Sequence, residues 1–110
     1  MLRIALSGGD PQGCQKALAR LPHAEFAADV DDCNAVVLHA ASDEACRQAA
    51  EAGRHVLADR PVGEAAIDAC AAAGVRLMIG FTHRFSPSIQ TVKAELDSGA
   101  LGEPGLLRIQ

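Results

Sequence analysis

Ser7-Gly8-Gly9-Asp10-Pro11-Gln12-Gly13 joins a short apolar run, LRIAL at residues 2–6, to a helical pattern, CQKALARL at residues 14–21. A glycine-rich turn between a first strand and a first helix is where a dinucleotide-binding fold seats its pyrophosphate. A G-x-G-x-x-G frame laid from Gly8 finds glycine at Gly8 and Gly13 but aspartate at Asp10. That middle position is where bare backbone approaches the phosphates. Asp10-Pro11 is also a strong helix start, with aspartate as N-cap and proline in the first turn. A carboxylate there fills from within the anion site that a helix N-terminus offers. At about 4 Å from a phosphate it would cost up to roughly 4 kcal/mol at an effective dielectric near 20. The turn is therefore expected to hold a pyrophosphate poorly.

Outward from this turn, strand and helix signals alternate. The helix is expected to run to about Leu21 and stop before Pro22. AEFAA, at residues 24–28, reads as a short strand. NAVVLHA, at residues 34–40, is a continuous apolar run, as in a strand buried on both faces of a parallel sheet. Ser42 caps the helical DEACRQAAEAG, which closes at Gly53. RHVLA is a strand, EAAIDACAAAG a helix closed by Gly74, and VRLMIGF a strand. Ser86-Pro87 opens a longer helix, stopped at Gly99, and GEPGLLRIQ starts a further strand at residues 105–110. Such alternation predicts right-handed crossovers: an α/β fold, a shortened Rossmann-like parallel sheet with helices on both faces. The 110 residues are expected to form one such domain.

Composition narrows the function classes. The net charge of −4 argues against nucleic acid or an anionic membrane as partner. The apolar runs are too short for a membrane span or a signal peptide, so a cytoplasmic location is expected. Cys14, Cys33, Cys46 and Cys70 form no C-x-x-C pair and match no zinc spacing. His23, His39, His55 and His83 are scattered, with no pair at helical spacing. No metal site is expected.

The segment AGRHVLADRPVGEAAIDACAAAGVRLMIGFTHRFSPSIQTVKAELDSGALGEPGLLRI resembles the Gfo/Idh/MocA oxidoreductases. Members show AGKHVLxEKP, then a GvxlmvGfxxRFxP strand and loop, then a helix ending in sGxLGep. The likeness runs from residue 34 onward. It implies a Rossmann domain that binds NAD or NADP, followed by a second α/β domain with most of the substrate site. The chain stops where the second domain would begin, so that domain is expected to be absent. Residues 105–110 would be the strand leading into it. The N-terminal half departs from the family as well. Asp10-Pro11 resembles the acidic-Pro segment that follows the family's second strand. One βα unit, roughly 25–30 residues, is accordingly expected to be missing.

The resemblance assigns the candidate residues. Arg60, in Asp59-Arg60-Pro61, stands at the EKP lysine that lies beside nicotinamide and substrate, and is the one candidate catalytic group. Arginine stays cationic but is a poor acid–base group. Gly8, Asp10, His39, Arg60, Pro61 and Arg84 are the candidate cofactor residues. Asp10 keeps two readings, a partner of the adenosine ribose hydroxyls or a helix cap. Arg60 and Arg84 also read as surface residues, and His39 and His83 as solvated strand-end histidines. The expected function is a degenerate cofactor domain of an NAD(P)-dependent oxidoreductase acting ancestrally on sugars or polyols, inactive alone. The alternatives are a non-enzymatic assembly module or a subunit completed by a separate chain. Apolar edge surface predicts a homo-oligomer, through a sheet edge or the terminal strand.

Overall fold

A computed structural model describes residues 1–106 and 108. It divides into two compact units, Met1–Gly80 and Phe81–Gln110. The first unit holds β1 (Leu2–Ser7), α1 (Pro11–Leu18), β2 (Ala24–Phe26), β3 (Ala35–Leu38), α2 (Asp43–Glu51), β4 (His55–Ala58), α3 (Glu64–Ala73) and β5 (Leu77–Ile79). The second holds a 3-10 turn (Thr82–Phe85) and α4 (Pro87–Asp97).

All strand pairs are parallel, in the order β2-β1-β3-β4-β5. From β1 the chain winds first to β2 on one side and then to β3 on the other. This reversal opens a crevice at the carboxyl ends of β1 and β3, the place where open α/β sheets bind ligands. Among the described residues the flank beyond β1 carries one strand, where the dinucleotide fold has two.

Strand alternation sorts the side chains between two faces. Val36, Leu38, Val56 and Ala58 are buried with Cys46, Ala49 and Ala50 of α2 and Ala66 and Cys70 of α3. The alanines and cysteines let two helices sit close to the sheet and to each other without large side chains between them. On the opposite face Leu6, Val37, Leu57 and Met78 form one cross-strand row. Cys14, Ala17 and Leu18 of α1 line a groove of about 460 Å³ over the β1 end of that row. Leu57 is 36% exposed and Met78 62%.

The expected caps are present. The Ser42 hydroxyl accepts from the Ala45 N–H at 3.1 Å. Gly74 closes α3 in the left-handed conformation at φ 70°. α1 ends at Leu18 rather than Leu21. Its C-terminus tightens into short bonds, Arg20 N–H to Ala17 and Leu21 N–H to Leu18, because a residue before proline is pushed out of the helical region. The strand expected at residues 105–110 falls partly on Leu107, Ile109 and Gln110, outside the described residues. Gly105, Leu106 and Arg108 are in no strand.

Candidate functional site

Register builds the site. Ser7 pairs with Leu38, and Leu38 with Ala58. The residues that follow, Gly8, His39 and Asp59, therefore leave the sheet side by side. The ladder extends one rung further: the His39 N–H donates to the Ser7 carbonyl at 3.0 Å, and the Asp59 N–H to the Leu38 carbonyl at 3.1 Å.

Asp59 ties this edge together. Its Oδ2 accepts the Ala40 N–H at 2.8 Å and its Oδ1 the Ala41 N–H at 3.0 Å. The His39 Nδ1 lies 3.3 Å from Oδ2, and the Arg60 Nε 3.7 Å from Oδ1. Ala40 sits at φ 55°, a left-handed conformation unusual for a residue with a side chain. A carboxylate holding two successive N–H groups is what fixes such a turn. The N–H groups of Ala41 and Ala40 hold the Asp59 carboxyl below the ordinary carboxylate value, with Arg60 and His39 adding to them.

The sign of the pH dependence follows. The unfolded chain binds the Asp59 proton more tightly than the folded one. The anchoring contribution is complete above the unfolded value, near pH 4, and is lost as pH falls through the lower, folded value. The stability gap between the parent and Asp59→Asn, measured as urea midpoints, should shrink as pH falls from about 5 to below about 4. A gap that widens in acid would contradict the anchor.

The glycine turn faces His39. Gly8 and Gly9 sit at φ 80° and 71°, where side chains are strained. A Cβ on Gly8 would lie 3.4 Å from the His39 Cβ, and one on Gly9 would lie 3.3 Å from the His39 Cβ and Cγ. The His39 side chain thus stands beside the turn, at the groove of about 460 Å³ that Gly9, Asp10 and Gly13 also line. At the head of α1, Asp10 is the N-cap, its Oδ1 accepting the Gln12 N–H at 3.0 Å. Gly13 lies inside α1, and a Cβ there would stand 3.3 Å from the Asp10 Oδ2. The third glycine of the G-x-G-x-x-G frame therefore gives room to a cap carboxylate. Arranged this way, the turn does not fit a dinucleotide pyrophosphate. The His39 side chain flanks the two glycines, and a negative charge occupies the helix end.

The first unit thus brings Gly8, Asp10, His39 and Arg60 to one edge, with Pro61 next in the chain after β4. Arg84 lies in the second unit with His83, in the 3-10 turn. There it lines a groove of about 400 Å³ with Ile89, Gln90 and Lys93. Sequence reasoning assigned no role to Asp59. The one signal in the sequence was an acid directly after a strand, RHVLA. Among the described residues, no three metal-ligating side chains cluster. Cys46 and Cys70 are buried in the core, and burial pushes both thiols up. No described helix is long and apolar enough to cross a membrane.

No family model matches the chain. The uncharacterized oxidoreductase YrbE of Bacillus subtilis is 32% identical over 83 residues, which is 70% of this chain and 24% of the relative. Solved structures share the fold. An oxidoreductase from Agrobacterium radiobacter, in complex with NAD+, L-tartaric acid and magnesium, matches at TM-score 0.73 and 21% identity over 94% of this chain and 42% of that one. The WlbA dehydrogenase from Bordetella pertussis, in complex with NADH and UDP-GlcNAcA, matches at 0.60 and 22% over 93% and 41%. An NAD binding oxidoreductase from Klebsiella pneumoniae matches at 0.63 and 20% over 94% and 40%. The chain spans less than half the length of each of these proteins.

Proposed function

We propose that this chain, a relative of the Gfo/Idh/MocA-type oxidoreductases by sequence and fold, is the nucleotide-binding-type domain of an NAD(P)-dependent oxidoreductase line, with a weakened hold on its cofactor. One observation carries this reading. The glycine turn, His39 and the Asp59–Arg60 pair meet at the crevice where such sheets bind ligands, with His39 beside the turn and the Asp10 carboxylate at the head of α1. The cofactors bound in the Agrobacterium and Bordetella proteins favour NAD over other nucleotides. The reaction of the line would be hydride transfer at a sugar or polyol hydroxyl. At the position of the family lysine, Arg60 supplies positive charge but is a poor acid–base group. It would orient an anionic or polar group and leave proton transfer to another residue. These 110 residues by themselves are proposed to give no turnover.

Calorimetric titration of the full chain with NAD+ and NADP+ tests this. The expected result is saturation only at millimolar cofactor. Micromolar affinity in the parent chain would refute the weakened hold. A second reading, a self-associating module without cofactor, is favoured by the exposure of Leu57 and Met78 on one sheet face. Light scattering on the same samples separates the two, since that reading needs a multiple of the 11.4 kDa chain mass.

A further inference from the structure

We infer that His39 is a selectivity residue. Held by Asp59 against the Gly8–Gly9 turn, it stands where a dinucleotide's pyrophosphate has to sit, and the site admits that group only when the imidazole has turned aside. The inference rests on the reading of the strand ends as a cofactor site.

Three features place the ring. First, the backbone fixes its base, because the His39 N–H continues the β1–β3 ladder to the Ser7 carbonyl at 3.0 Å. The Cβ is then aimed over the turn that leaves β1. Second, the ring stands where side chains on the two glycines would run into it. A Cβ on Gly9 would lie 3.3 Å from the His39 Cγ and 3.6 Å from Nδ1, and one on Gly8 3.8 Å from Cδ2. The lack of a side chain at Gly8 and Gly9, which in a dinucleotide fold admits phosphate, here admits imidazole. Third, the group that holds the ring is itself fixed. Asp59 faces the Nδ1 at 3.3 Å while two backbone N–H groups hold its carboxylate. The side chain is 59% exposed, so it can turn toward solvent.

The consequence is a population effect. When a site is competent only in a fraction of molecules, apparent affinity falls by that fraction. If the ring is aside in about a tenth of molecules or fewer, removing it should tighten binding about tenfold or more.

The experiment uses the full chain. In the ligand-free protein, nuclear Overhauser contacts are expected between the His39 ring Hδ2 and the α-protons of Gly8 and Gly9. Their absence would overturn the placement. Calorimetry on His39→Ala, checked by circular dichroism against the parent, should show a Kd for NAD+ about tenfold lower or more, with affinity for adenosine unchanged. Adenosine carries no phosphate, so equal tightening for both would mean that the ring blocks the crevice generally, against the inference. A higher Kd for NAD+ would make His39 a phosphate ligand, also against it. If Asp10→Gly tightens NAD+ and His39→Ala does not, the inference fails and the cofactor reading stands. If parent, Asp10→Gly and His39→Ala all fail to bind, the cofactor reading fails, and the inference with it.

Discussion

Asp10→Gly is expected to tighten binding of NAD+ and NADP+ by between about fivefold and about a thousandfold. The range is set by how well solvent screens one carboxylate from one phosphate. About 4 Å apart, the pair costs about 1 kcal/mol in bulk water and about 4 kcal/mol at an effective dielectric of 20. Each 1.4 kcal/mol is a factor of about ten in affinity. Asp10 is exposed, which moves the expectation toward the lower part of the range. The change should barely touch the fold. Asp10 caps α1 through the Gln12 N–H, and glycine at an N-cap costs only a few tenths of a kcal/mol. It also frees the N-terminus of α1, whose unpaired N–H groups and dipole favour an anion. Calorimetric titrations of parent and variant, at matched low ionic strength, measure the difference. Weaker binding by the variant would mean that Asp10 bonds the ribose hydroxyls, and the repulsion argument would be wrong.

Val56→Asp should abolish cooperative unfolding, whereas Leu57→Asp, one residue along the same strand, should keep it. Val56 is 3% exposed and packs in the core beneath α2 and α3. Its neighbours across the ladder are Val36 and Leu77, and none of them offers a hydrogen bond to a carboxylate. An uncompensated buried charge costs roughly 3–5 kcal/mol. Total stability for a chain of this size is about 5–15 kcal/mol, and a core made largely of alanine and cysteine side chains leaves it toward the low end. Leu57 points to the opposite face and is 36% exposed. Its replacement should cost about 1–2 kcal/mol of lost burial, because the carboxylate can reach water. Urea titrations followed by circular dichroism distinguish the pair. Equal loss in both variants would mean that the two faces are not the inside and outside of this strand. The milder variant Val56→Ala, at about 2 kcal/mol, should shift the midpoint while leaving a cooperative transition.

The sequence by itself determined the class of fold and the local punctuation. Asp10-Pro11, Ser42 and Gly74 each act on backbone within a few residues, as N-cap, N-cap and left-handed C-cap. Their meaning can therefore be read without knowing what lies across the sheet. The continuous apolar run at residues 34–40 similarly marked an inner strand, and β3 lies third in the sheet. The resemblance from residue 34 onward pointed to the oxidoreductase line that the comparisons bear out. The tertiary structure alone decided what the site contains. His39 and Asp59 are twenty positions apart, and nothing in either segment names the other as partner. They meet because parallel register pairs Leu38 with Ala58, and register is settled by the packing of whole faces rather than by any one residue. The same holds for the glycine turn. Gly8 and Gly9 announce a close approach, but the approaching group comes from another strand. Local sequence fixes dihedral angles and periodicity, while the occupant of a crevice depends on which strand ends the fold sets side by side.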